Sequence, residues 1–107
     1  TRAMLSALEQ AGLAPSDIDY LDCHATGTPL GDATELQSVL AAYGDVPLKL
    51  GALKGNLGHT ITVSGAASLV NVLSAMAASV IPPALCEKPT DRLKDTPFSL
   101  TTTATPW

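Results

Sequence analysis

The segment IDYLDCHATGTPLGDATELQSVLAAYG, Ile18 to Gly44, decides the fold. Its first six residues, IDYLDC at Ile18–Cys23, read as a strand. His24 follows, and then a loop of threonine, glycine and proline. Asp32 is expected to open a helix, with Glu35 three residues later in a capping-box arrangement. Leu36, Val39, Leu40 and Tyr43 then fall at i, i+3, i+4 and i+7, a single apolar face, and Gly44 ends the helix. Leu48–Leu53 reads as a second strand. Strand, helix and strand with short connections make a βαβ unit, so the strands should be parallel and the crossover right-handed. In open α/β sheets ligands bind outside the carboxyl ends of the strands. His24 stands at that end of the first strand, and Lys54 and His59 follow the same end of the second. Both histidines of the chain and one lysine are therefore expected on one rim.

Outside this unit, Arg2–Ala11 reads as a helix stopped by Gly12, with Pro15 just beyond. A long helix is expected from about Thr62 to Ser79, ended by Pro82–Pro83. The tail, Cys86 to Trp107, is polar and punctuated by proline, with a strand expected at Phe98–Thr103. The chain has no internal repeat and no low-complexity segment. Between Gly55 and Cys86 there is no Asp, Glu, Lys or Arg, and Ile61–Ile81 is long enough to cross a bilayer. Thr62, Ser64, Ser68, Asn71, Ser74 and Ser79 interrupt it, however, and it has neither an aromatic belt nor flanking basic clusters. The expectation is a helix buried on most sides of a soluble protein, not a membrane span.

At 107 residues the chain holds at most one domain with a modest core. Apolar residues make up 46% and charged ones 15%, the balance of a globular interior rather than a disordered tail. A net charge of -4, without a basic cluster or aromatic ladder, argues against a nucleic-acid partner. Cys23 and Cys86 lack metal or redox spacing, which fits a reduced, cytoplasmic setting. The chain opens on Thr1 without an initiator methionine or a signal-peptide pattern, as expected of a piece of something longer.

Two imidazoles near one point can donate hydrogen bonds to a developing oxyanion, or take and give a proton near neutrality. Lys54 adds a positive charge beside them. Thr26 and Thr28 sit two apart on the loop, so their hydroxyls can face an extended polar ligand arm. Gly27 and Gly31 let backbone approach closely. The blander readings are that His24 packs at a strand end, that Asp32 and Glu35 only cap, and that TGTPLG is a turn. Cys23 and His24 are neighbours on a strand and point to opposite faces, so they cannot share a metal ion, and no metal site is expected. Neither cysteine has the surroundings of a nucleophile. The residues alone describe a ligand site with two histidines and a missing partner.

The chain resembles the C-terminal part of a β-ketoacyl synthase, the condensing enzyme of fatty-acid and polyketide assembly. The family's H-G-T-G-T-P-L-G-D loop is matched by His24-Ala25-Thr26-Gly27-Thr28-Pro29-Leu30-Gly31-Asp32, and its K-S-N-I-G-H by Lys54-Gly55-Asn56-Leu57-Gly58-His59. The small-residue helix, the I-P-P after it and the closing Thr105–Trp107 also match in order. The resemblance implies a thiolase-like α/β fold, with residues 1–107 forming an incomplete C-terminal half that holds the βαβ unit and the long buried helix. It implies catalytic roles for His24 and His59, which decarboxylate a malonyl-type extender and stabilise the enolate, with Lys54 supporting the second histidine. Thr26 and Thr28 match threonines that bond the phosphopantetheine arm of an acyl carrier protein, so the arm comes with the partner and the chain binds no cofactor of its own. The nucleophilic cysteine belongs to the N-terminal half of the same synthase, which is expected to be a homodimer when complete. The fragment alone should therefore be inactive.

Three positions depart from the family pattern. Ala25 replaces glycine, which would cost roughly 1 kcal/mol if φ is positive there. Gly55 replaces serine, and Ala33 replaces a proline expected in the first helical turn. The rival class is a non-catalytic condensing-enzyme-like subunit for binding or dimerisation. Retention of both histidines and the lysine argues against it.

Overall fold

The computed structural model describes residues 1–107. Helix α1, Arg2–Ala11, ends where expected, with Gly12 in the left-handed region at φ 66°. Strand β1, Tyr20–Asp22, leads into α2, Pro29–Tyr43, and then into β2, Lys49–Gly51. β1 and β2 are parallel, with Tyr20 opposite Lys49 and Asp22 opposite Gly51. β4, Ser99–Leu100, joins on the far side of β2, also parallel, giving the order β1–β2–β4. All three strands are shorter than expected from sequence. Ladder bonds extend them slightly, from Lys49 N–H to the Asp19 carbonyl (3.1 Å) and from Cys23 N–H to Gly51 (2.8 Å). Past that point each chain leaves the sheet for the rim.

The core lies between this sheet and the first two helices. Leu8 of α1, Leu36, Val39, Ala42 and Tyr43 of α2, Leu48 and Leu50 around β2, and Phe98 before β4 form one buried cluster. Three of the four residues read as the apolar face of α2 are in it. Leu40 is the exception, at 37% exposure.

The long apolar segment corrects one expectation. Ile61–Val63 is a 3-10 turn, and the helix α4 runs Ser64–Ala78. It stops at Ser79 in the left-handed region, before the prolines, and β3, Val80–Ile81, intervenes. α4 is not buried within this chain. Ala75 is its only buried residue, while Leu69, Val70, Leu73 and Met76 are 56–62% exposed. By length and composition Ile61–Ala78 could cross a membrane, with mean hydropathy 1.6. The physical reason for the exposure is simple. The helix rests on β3 and on the turn before it, and no second layer of this chain covers its outer side. The total accessible surface, 6763 Å², exceeds the roughly 5,600 Å² of a compact protein of this mass. Much of the difference is apolar helix.

β3 pairs antiparallel with β5, Thr105–Pro106, a small second sheet. It brings Trp107 back onto the first strand. The indole packs 5.8 Å from the Tyr20 ring, and its N–H donates to Asp19 at 3.4 Å.

Candidate functional site: a paired-histidine rim

The loop after β1 is fixed by side chains of α2. The helix begins three residues earlier than expected, with Pro29 at its first position and Thr28 as cap, the Thr28 hydroxyl accepting from Gly31 N–H at 3.2 Å. Asp32 and Glu35 therefore do not form a capping box with each other. Asp32 lies in the first turn and accepts from Gly27 N–H at 3.1 Å. Glu35 reaches back across the loop, its two oxygens accepting from His24 N–H (2.6 Å) and Ala25 N–H (2.8 Å). A carboxylate gripping consecutive amides holds the strand end in one conformation. That conformation puts Ala25 at φ 35°, the region glycine favours. The strain foreseen for alanine at this position is present. Ala33, by contrast, falls in the second turn of α2, past the position where proline preorganises a helix.

The second arm of the rim starts at Asp22, whose Oδ1 accepts from Leu53 N–H and from the Tyr20 hydroxyl, both at 3.3 Å. Leu53 opens the single helical turn α3, Lys54–Leu57, and Gly58 at φ 75° swings the chain into His59. His24 and His59 meet edge to face, their ring centroids 5.5 Å apart and their planes at 87°. His59 Nδ1 accepts from Ile61 N–H at 3.0 Å, with the Ser64 hydroxyl 3.4 Å away. A ring nitrogen that accepts carries no proton, so the imidazole N–H lies on Nε2, free to donate.

Lys54, Thr26 and His59 share a cleft of about 580 Å³, together with Gly27, Gly55 and Lys88. Thr28 faces elsewhere. Its hydroxyl is engaged as the helix cap, 3.3 Å from that of Thr26, and it lines a neighbouring hollow with His24. Cys23 sits beneath the rim with its thiol pushed up to about 12, chiefly by burial and then by the carboxylates of Glu35, Asp22 and Asp32. It is a protonated thiol near neutrality, as its lack of activating neighbours implied. Gly55 turns out to be required by this backbone, because a Cβ there would overlap the Leu85 carbonyl oxygen. The dual clamp of Glu35 and the tether of Asp22 escaped the sequence reading. Glu35 was visible only as half of a local box, and Asp22 only as a strand residue.

Residues 1–86 match the family described as "Beta-ketoacyl synthase, C-terminal domain". The chain belongs to the β-ketoacyl synthase family. Among its relatives, the pikromycin polyketide synthase component PikAII of Streptomyces venezuelae is 43% identical over 98 residues, covering 86% of this chain and 3% of that protein. Polyketide synthase GfsA of Streptomyces halstedii is 40% identical over 114 aligned positions, covering 99% of this chain and 2% of that one. Among solved structures, the oxazolomycin ketosynthase domain OzmH KS8 of Streptomyces albus JA3453 superposes with a TM-score of 0.89 at 31% identity, covering 97% of this chain and 30% of that one. The module 1 ketosynthase of the Bacillus amyloliquefaciens FZB42 bacillaene synthase gives 0.84 at 30% identity, covering 94% and 21%. This ketosynthase chain thus spans 2–3% of the polyketide synthases and under a third of the solved domains. The fold is thiolase-like α/β, and α4 is one of its elements.

Proposed function

We propose that this chain is the histidine half of a ketosynthase that carries out decarboxylative Claisen condensation of a malonyl-type extender on acyl carrier protein with an enzyme-bound acyl chain. His24 and His59 are the catalytic histidines. The extender loses carbon dioxide, and the electron pair of the broken C–C bond moves onto the thioester as an enolate. Imidazole N–H groups aimed at that oxygen stabilise charge that exists only after the bond starts to break. The resulting carbanion attacks the acyl thioester, and the cysteine sulfur leaves. Lys54 supports His59 electrostatically. The cleft beside Thr26 has room for the phosphopantetheine arm of the carrier, and Thr28 contributes by shaping the loop. The single observation that carries this reading is the edge-to-face histidine pair, with Nδ1 of His59 already occupied and Nε2 left to donate.

The nucleophilic cysteine comes from the N-terminal half of the synthase, so residues 1–107 alone form an incomplete, inactive domain. That half also covers the apolar face of α4, which makes a membrane span unnecessary. The complete enzyme is a cytoplasmic homodimer that works on polyketide or fatty-acid intermediates and uses no cofactor beyond the carrier's arm.

Labelled acyl loading and labelled carbon dioxide release, measured on the same full-length variants, test the assignment. His24→Ala and His59→Ala should each lower release by ~10²–10³ while loading persists. The double variant should fall short of the product of the two, because both donors serve one oxyanion. Equal loss of loading and release in both single variants would refute the catalytic reading and favour a packing role at the strand ends.

A further inference from the structure

We propose that Asp22 is a positioning residue of this site, its partly buried carboxylate fixing the turn that sets Lys54 and His59 opposite His24. The inference rests on the condensing reading above and adds to it a group that touches neither substrate nor histidine. Hydrogen bonds from Asp22 through the α3 turn lead to Gly58, the residue before the second histidine. Oδ1 accepts from Leu53 N–H at 3.3 Å, and the Leu53 carbonyl accepts from Asn56 N–H (2.9 Å) and Leu57 N–H (3.2 Å). The Lys54 carbonyl accepts from Gly58 N–H at 2.9 Å, and His59 follows. Asp22 itself is the last residue of β1, in register with Gly51 of β2, two residues before His24. One carboxylate therefore joins the strand end that bears one histidine to the turn that bears the other.

The second oxygen argues that this placement serves geometry more than stability. Oδ2 is buried with no hydrogen-bond partner. An unpaired buried carboxylate oxygen opposes folding. At a functional site such a group can be retained for the arrangement it enforces. The Tyr20 hydroxyl also donates to Oδ1 and lies against Gly51, and its loss leaves Leu53 N–H with the same acceptor oxygen.

The test uses the full-length synthase with three substitutions at this network and His24→Ala as a control. Asp22→Ala removes the acceptor. It should lower the kcat of malonyl decarboxylation by up to ~10²-fold, the scale of a misplaced catalytic group, with KM and acyl loading within about twofold. Asp22→Asn keeps an acceptor for Leu53 N–H and should restore most of the rate, and Tyr20→Phe should leave it unchanged. Hydrogen-exchange mass spectrometry should show faster exchange in peptide 53–58 for Asp22→Ala and not for Asp22→Asn. Unchanged carbon dioxide release in Asp22→Ala would overturn the inference. So would a parallel fall in loading, release and melting temperature that Asp22→Asn does not rescue, which would mark a purely structural residue. If His24→Ala also left release intact, the condensing reading itself would fall and this inference with it.

Discussion

Glu35→Gln is the sharpest probe of how the rim is held. The carboxylate grips His24 N–H at 2.6 Å and Ala25 N–H at 2.8 Å. Hydrogen bonds to a charged group contribute about 1.5–3 kcal/mol each when lost. Glutamine keeps one neutral acceptor and turns an NH₂ toward the other amide, two donors facing each other. Since His24 is exposed, water replaces part of what is lost. The expected destabilisation is about 2–3 kcal/mol. Ala25 supplies the internal check. At φ 35° an alanine is strained by roughly 1–2 kcal/mol. Glycine relieves that, and its freer unfolded chain takes back about 0.4–1 kcal/mol. Ala25→Gly alone should therefore stabilise by about 0.5–1 kcal/mol. With Ala25, loosening the clamp also releases that strain, which offsets part of the loss; in the Ala25→Gly background no strain is left to release, so Glu35→Gln should cost about 0.5–1 kcal/mol more than alone. Urea denaturation midpoints of the ketosynthase domain carrying each variant measure all four corners of this cycle. A Glu35→Gln effect below about 0.5 kcal/mol, or strict additivity, would refute the clamp.

Three further outcomes follow from the same structure. With its thiol at about 12 against an ordinary 9.0, Cys23 should react with iodoacetamide at pH 8 about 10³-fold more slowly than a free cysteine, until urea exposes it. Because folded Cys23 keeps its proton where the unfolded thiol loses it, this group's contribution to stability is full below about pH 9 and is lost as pH climbs toward 12. Gly55→Ser, which restores the commoner family residue, should lower stability by about 1–3 kcal/mol through the clash with the Leu85 carbonyl, read as a fall in melting temperature. An unchanged value would mean that the segment around Leu85 yields freely.

The legible parts of the molecule were those governed by neighbours in sequence. α1 was read to its last residue because a left-handed Gly12 stops a periodic run. The βαβ order, the parallel pairing and the rim bearing His24, Lys54 and His59 followed from strand-sized apolar runs and short connections. The start of α2 was misplaced because two signals competed. Thr28 followed by Pro29 is a cap with a preorganised first residue, and it won over the box formed by Asp32 and Glu35. Glu35 had a partner eleven residues back, a distance at which no local pattern speaks. The apolar content of α4 announced that something should cover it without saying what, and the cover is not in these residues. The two-residue β3 and the tie from Trp107 to Asp19 depend on contacts between distant segments, and nothing in their own composition marks them.

The bare face of α4 has a consequence for how such a protein is made. Leu69, Val70, Leu73 and Met76 form a sticky surface from the moment the helix leaves the ribosome. Exposed apolar surface on a nascent chain is where aggregation begins. On the proposed arrangement the covering half is translated first and is already waiting when this segment emerges. Vectorial synthesis then shortens the exposure to the time of one docking event. Translated in the opposite order, the same two halves would leave this helix dependent on chaperones for the whole time its mate was being synthesised.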